Sequence, residues 1–147
     1  MVLQEILRRK GSHVHSISAD ATLDQAVHQL VDKNVGSLVV CQPSGGDACG
    51  ALLGIITERD ILRACAAGRE SLSQAKVGDV MTRDLMTGTP NDSIEETMGL
   101  MTERRIRHLP ILVDDRLAGM ISIGDVVKAH HEEVTMENHY LKSYIQS

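Results

Sequence analysis

Apolar and polar positions alternate along this chain in a recognisable succession. Leu23, Ala26, Val27, Leu30 and Val31 recur at i, i+3, i+4, i+7 and i+8, which is one face of an amphipathic helix. Thr22-x-x-Gln25 marks its start as a capping box. A short extended lead, residues 14–18, precedes it. Two β-branched runs follow, residues 35–40 and 52–56, and read as strands. The stretch between them, around Pro43, Ser44, Gly45 and Gly46, is rich in turn formers and predicts an exposed hairpin tip. A closing helix is predicted over residues 58–67, with Gly68 placed as its C′ stop.

The same succession then returns. Residues 16–40 lie over residues 87–111, so that Thr22 falls on Ser93, Leu23 on Ile94, Gln25 on Glu96, Leu30 on Met101 and Leu38 on Leu109. The match resumes after a loop six residues longer in the first copy, placing Gly54-Ile-Ile-Thr57-Glu-Arg-Asp60 on Gly119-Met-Ile-Ser122-Ile-Gly-Asp125. The second copy thus predicts a lead at 85–89, a capping box Ser93-x-x-Glu96, strands at 106–111 and 117–123, and a helix from 124 to about 133. Asp114-Asp115 suits the tight turn between its strands. Met98 and Met101 read as core fillers.

The fold class is therefore α/β of the mixed α+β kind, two tandem β-α-β-β-α repeats. A unit of roughly 55–60 residues is marginal alone, so the two are expected to pack sheet to sheet about a pseudo-twofold axis. The expected bounds are residues 8–70 and 83–134 for the repeats, 71–82 for a polar connector entering a turn of helix, and 135–147 for a helical tail. Residues 2–7 read as the matching lead of the first copy. The tail carries a small apolar face at Tyr140 and Tyr144, suited to docking on a partner subunit.

Composition narrows the function classes. Among 147 residues, 15 Lys and Arg face 20 Asp and Glu, a net charge of −5, and there is no Trp or Phe. Both tyrosines lie in the last eight residues, so the core is aliphatic. An acidic chain without aromatics for base stacking argues against nucleic acid as a partner. No apolar run approaches the ~18 residues of a membrane span, and the start of the chain lacks a signal core, so a soluble cytoplasmic protein is expected. Cys41 and Cys49 flank the predicted hairpin loop and could face each other across it. With Cys65 they make an odd number without a CxxC spacing, and the compartment argument reads all three as free thiols.

Two constellations carry chemistry. Thr57-x-x-Asp60 and Ser122-x-x-Asp125 each place a hydroxyl at a strand-to-helix junction and a carboxylate one turn in. Such a pair is a variant capping box. The same geometry also serves a ligand: free N–H groups and the helix dipole favour a phosphate, the hydroxyl adds a donor, and the Asp accepts from ribose hydroxyls. Arg104, Arg105, Arg107 and His108 form the one dense basic cluster. Arg104 and Arg105 suit a helix C-terminus. Arg107, inside the strand predicted at 106–111, reads as a phosphate contact and His108 as a second, against the alternative of a plain edge-strand charge. Gly36 is the counterpart of Arg107, so the two sites are electrostatically unequal. Arg59, a cation in a first helical turn, also suggests an anion nearby. The seven histidines show no closed metal-ligand spacing, and no nucleophile elbow, P-loop, GxGxxG or HExxH is present.

The paired Gly-Ile-Ile-Thr-x-x-Asp and Gly-Met-Ile-Ser-x-x-Asp segments resemble the signature that closes each cystathionine-β-synthase (CBS) domain. Lys76-Val-Gly-Asp-Val-Met-Thr82, Thr87-Gly-Thr-Pro90 and Arg105-Ile-Arg-His-Leu-Pro-Ile111 extend the resemblance, which covers residues 2–133. The chain is similar to a stand-alone tandem pair, or Bateman module. The resemblance implies a non-enzymatic regulatory sensor with no catalytic cofactor. It would bind adenosine-containing ligands (AMP, ADP, ATP, S-adenosylmethionine or NAD(H)) in clefts between two domains and act as a homodimer on an unidentified regulated protein. It further implies nucleotide contacts from Ser16, Ser18, Ile55, Thr57, Arg59 and Asp60 in the first copy. From the second copy it implies Thr87, Thr89, Arg107, His108, Pro110, Ile121, Ser122 and Asp125. Two departures alter the wall facing an adenine: Ala19 stands where the family usually has Pro, and Gly88 where it has a β-branched residue. A protein-interaction adaptor or a redox-responsive module with vestigial clefts is the alternative. For the dimer, the faces holding Leu62 and Val126 and the tail tyrosines are the expected surface.

Overall fold

The computed structural model describes residues 1–11, 13–43, 49–68 and 70–146. In chain order the elements are α1 (Leu3–Lys10), β1 (Ser16–Ile17), α2 (Leu23–Lys33), β2 (Ser37–Cys41), β3 (Leu52–Thr57), α3 (Glu58–Ala67), α4 (Val77–Val80), α5 (Ile94–Arg104), β4 (His108–Val113), β5 (Arg116–Ser122) and α6 (Ile123–Gln146). They divide into two compact units. One is His13–Leu85, built on the first repeat; the other joins Met1–Ser12 to Met86–Ser147 and is built on the second.

In the first unit, β1, β2 and β3 make one sheet in that order, β1 parallel to β2 and β2 antiparallel to β3. α2 starts on the predicted box, with Gln25 N donating to Thr22 Oγ1 at 3.2 Å and Thr22 N to Gln25 Oε1 at 3.0 Å. It ends at Asn34 in the left-handed region (φ 54°), and α3 ends at Gly68 (φ 63°), the position chosen for it from sequence. The apolar face of α2 (Leu23, Ala26, Leu30) is buried with Leu38, Val40 and Ile56 of the sheet, each of the Leu, Val and Ile side chains contributing about 1.5–3 kcal/mol.

In the second unit, β4 and β5 form a two-stranded antiparallel sheet. The lead predicted as a strand at 85–89 is reduced to one parallel bridge, Gly88 to Ile111. A Cβ on Gly88 would lie 3.0 Å from Leu109 Cδ2 and 3.2 Å from Asp92 Oδ2, so the missing side chain lets the Asp92 carboxylate approach. Ser93 Oγ accepts from Glu96 N at 3.2 Å without a return bond, so this cap is one-sided where the sequence predicts a reciprocal box. Asp114 and Asp115 make the two-residue turn with φ of 50° and 62°, both left-handed as a type I′ hairpin requires. α6 runs for 24 residues and takes up the tail.

The leading segments differ from their sequence reading. Of residues 2–7, expected as the lead of the first copy, Val2 is an extended cap bridged to Ser93 and residues 3–7 are helical, and all belong to the unit of the second. Leu3, Ile6 and Leu7 are buried there with Ile94, Met101 and Ile121. The residues before the second copy in turn join the first unit: Val77 N donates to Ala21 O at 2.8 Å and Gly78 N to Ala19 O at 2.9 Å. Each short helix thus completes the core of the repeat it does not precede.

Three further expectations change. Cys41 and Cys49 form a disulfide with their Cα atoms 5.3 Å apart, so the reading of three free thiols is wrong; only Cys65 is free and exposed. The cause is the hairpin itself, which brings the end of β2 back past residue 49, and the compartment argument from cysteines lapses with it. Val126 is fully buried, whereas Val127 is 49% exposed; the repeat offset places Leu62, 69% exposed, on Val127 and not on Val126. The hairpin tip predicted at Ser44, Gly45 and Gly46 lies outside the described residues. No helix among the described residues is long and apolar enough to cross a membrane.

Candidate functional site

Each repeat carries a strand-to-helix junction, and the two are built alike in the backbone. In the first unit β3 ends at Thr57, whose extended backbone (φ −119°, ψ 166°) caps α3. Asp60 N donates to Thr57 Oγ1 at 3.2 Å, and Thr57 N returns a bond to Asp60 Oδ2 at 3.0 Å. The Thr57 hydroxyl lies 3.1 Å from the same Oδ2. The other carboxylate oxygen, Oδ1, accepts from Thr82 Oγ1 at 3.0 Å. Asp60 is 6% exposed and both its oxygens are engaged within the unit. Thr82 is held beside it by two backbone bonds with Ile55, and Glu58 N, the first helical donor, is taken by Gly36 O at 3.2 Å.

In the second unit β5 ends at Ser122. Asp125 N donates to Ser122 Oγ at 3.1 Å, and Ser122 N to Asp125 Oδ2 at 2.9 Å, a complete box. Ile123 N donates to Arg107 O at 2.8 Å, as Glu58 N does to Gly36 O. The partner of the carboxylate differs. Lys10, from the end of α1, donates through Nζ to Asp125 Oδ2 at 2.7 Å and to Met120 O at 2.9 Å. One ammonium thus does the work of the Thr82 hydroxyl and backbone N–H of the first unit. The pair stays at the surface, with side chains 40% and 29% exposed. Partial burial pushes the Asp125 carboxyl up, but the bonds from Lys10 and Ser122 outweigh it and hold the group below the usual carboxylate range.

The remaining candidates fall into three kinds. Ile55 and Ile121 are buried side chains and present only backbone to a ligand; Pro110 is likewise buried, its carbonyl accepting from Gly88 N at 2.9 Å. Ser16, Ser18 and Thr89 are tied into local structure: Ser16 O accepts from Gln29 Nε2 at 2.9 Å, Ser18 Oγ from Asp20 N at 3.2 Å, and Thr89 Oγ1 donates to Asp92 Oδ1 at 2.9 Å. Arg59, Thr87 and Arg107 are exposed. Arg107 lies outside the strand in which the sequence places it, because β4 starts at His108, and its carbonyl holds the start of α6. His108 is opposite Ser122 in the β4–β5 register. Arg107, His108, Ser122 and Asp125 are therefore brought to one junction, joined by Lys10. Thr57, Arg59 and Asp60 share the other, joined by Thr82.

Lys10 and Thr82 were missed from sequence. The usable signal was the repeat offset itself, which lays Lys10 and Gly11 over Met81 and Thr82. Nothing local reveals that each segment serves the other repeat. Two surface depressions run along α2 and α6, and none of the junction residues lines them.

The chain matches the family model of the CBS domain at residues 4–67 and again at 77–132. It is 40% identical over 150 residues to the CBS domain-containing protein CBSX3, mitochondrial, of Arabidopsis thaliana, covering 98% of this chain and 71% of that protein. The crystal structure of the CBS-domain containing protein ATU1752 from Agrobacterium tumefaciens superposes with a TM-score of 0.80 at 35% identity, over 88% of this chain and 99% of that one. A likeness of fold also extends, at 20% identity and a TM-score of 0.75, to the CBS domain pair of protein MJ0100 crystallised with 5-methylthioadenosine and S-adenosyl-L-methionine, over 90% of this chain and 98% of that one.

Proposed function

Because this chain belongs to the CBS domain family, we propose that it is a non-enzymatic regulatory sensor of adenosine-containing ligands, with AMP, ADP or ATP foremost and NAD(H) or S-adenosylmethionine as further members of the class. The observation that carries this reading is the duplicated junction. A hydroxyl and a carboxylate stand three residues apart at the start of a helix in both repeats, and in the second the carboxylate is only half-buried. Ribose hydroxyls donate well to such a carboxylate, while Arg107 and the helix start suit a phosphate. The second-repeat junction is the stronger site, since Asp60 is already enclosed by Thr57 and Thr82.

Calorimetric titration with adenosine, AMP, ATP and NAD tests this directly. Asp125→Ala is expected to weaken binding by about tenfold to a hundredfold through the lost charge-assisted bonds. Binding unchanged in both Asp125→Ala and Asp60→Ala would reduce both motifs to helix caps.

The module acts as a homodimer that passes ligand occupancy to a regulated protein as a population shift. What supports the dimer is exposed apolar surface: Leu62, Val127, and Tyr140, Leu141, Tyr144 and Ile145 of the tail. A redox-responsive module is the second reading, and the Cys41–Cys49 bond favours it. It requires ligand affinity to change on reduction.

A further inference from the structure

The two junctions differ in one respect that bears on ligand choice. In the first repeat the group facing the carboxylate is the Thr82 hydroxyl, neutral and committed to Asp60 Oδ1. In the second it is the Lys10 ammonium, which spends two of its three donors on Asp125 Oδ2 and Met120 O and stays 40% exposed. Among the described residues no hydrogen bond reaches Asp125 Oδ1. A partly exposed ion pair of this kind holds its partners weakly, so either can be exchanged for a better one. A ribose diol offers two donors to the carboxylate. The displaced ammonium then needs an anion, and a phosphate ester supplies one with more negative charge and more acceptor oxygens than the carboxylate it left. Among the described residues the first repeat has no equivalent charge to hand over: its Arg59 is exposed and makes no bond to Asp60, and Gly36 stands where Arg107 does.

Resting on the nucleotide reading above, we infer that Lys10 sets the preference of the Ser122–Asp125 site for phosphorylated over unphosphorylated adenosine ligands, passing from Asp125 to the phosphate as ribose binds. Lys10 is then a ligand-binding residue supplied by α1, a helix outside the repeat sequence that carries the site.

The test is calorimetric titration of the full chain with adenosine and with AMP, in the wild type, Lys10→Gln and Lys10→Arg, each first shown to be folded by thermal unfolding. The AMP-to-adenosine affinity ratio is expected to fall about tenfold in Lys10→Gln and to be kept in Lys10→Arg. An unchanged ratio in Lys10→Gln, or an equal loss for both ligands, overturns the inference and leaves Lys10 a structural clamp. Salt gives a measurement that needs no variant: the wild-type ratio should fall as sodium chloride screens the ammonium, and a ratio indifferent to salt overturns the inference as well. A wild type that binds neither ligand overturns the nucleotide reading itself.

Discussion

The two repeats use one backbone plan and stabilise it by different means. In the first, the hairpin β2–β3 carries a long loop, and the Cys41–Cys49 bond ties its base. In the second, two aspartates in left-handed conformation close β4–β5 within two residues, and no staple is needed. At the other end of each hairpin the contrast reverses. The Asp60 carboxylate is enclosed by neutral donors, while Asp125 lies near solvent under a lysine. A duplicated unit can therefore keep its fold while one copy turns a shared motif into structure and the other leaves it free to exchange partners.

Removing the staple should have the largest effect. With a sequence separation of eight between its cysteines, the bond lowers the entropy of the unfolded chain by an amount worth roughly 2–3 kcal/mol. Urea unfolding with and without a reductant should show that loss, and an identical midpoint would mean that the first hairpin is as self-sufficient as the second. The same experiment followed by ligand titration separates the sensor from the redox-responsive reading.

The corresponding glycines sharpen the comparison further. A Cβ on Gly54 would lie 2.6 Å from the backbone oxygen of Thr82 and 2.9 Å from Met81 Sδ. On Gly119 it would meet Leu7 Cδ2 at 2.6 Å, the far end of a side chain and not fixed backbone. Gly54→Ala is expected to cost about 2 kcal/mol, as overpacking against fixed atoms does, and Gly119→Ala about 1 kcal/mol or less. Equal losses would show that α1 is held as rigidly as the Thr82 backbone.

The smallest effect is electrostatic. Asp125 is held below its ordinary range, so the folded state favours its charged form; that contribution is present above the ordinary carboxylate range and is lost as the pH falls through and below it. Given the exposure of both partners, the pair is worth roughly 0.5–1 kcal/mol. Lys10→Gln should be less stable than wild type by that amount at neutral pH and equal to it in acid, once the Asp125 carboxyl is protonated in the folded as well as the unfolded state. A gap that persists in acid would assign the lysine's contribution to its bond with Met120 O or to its packing.

Much of this was legible in the order of residues. The capping box at Thr22, the stop at Gly68, the turn at Asp114-Asp115 and the two hydroxyl-x-x-carboxylate junctions all depend on residues within a few positions of one another, and each stands where the sequence places it. The one-sided cap at Ser93 marks the edge of that legibility: the spacing was present, but the Glu96 side chain is not bound back. Arg107 illustrates a boundary problem, since a β-branched run does not say which of its residues enters the ladder first.

What tertiary structure decided were the partners of faces and charges. Leu3, Ile6 and Leu7 form the buried stripe of α1, but their order in the sequence carries no address for the surface that buries them, and here that surface belongs to the more distant repeat. The same holds for Cys41 and Cys49, whose bond follows from hairpin register, and for Lys10, which meets Asp125 across 115 positions. Local hydrogen-bond geometry is set by a few neighbouring dihedrals and so is written in the sequence. Burial and charge pairing depend on which elements come together, and only the folded chain settles that.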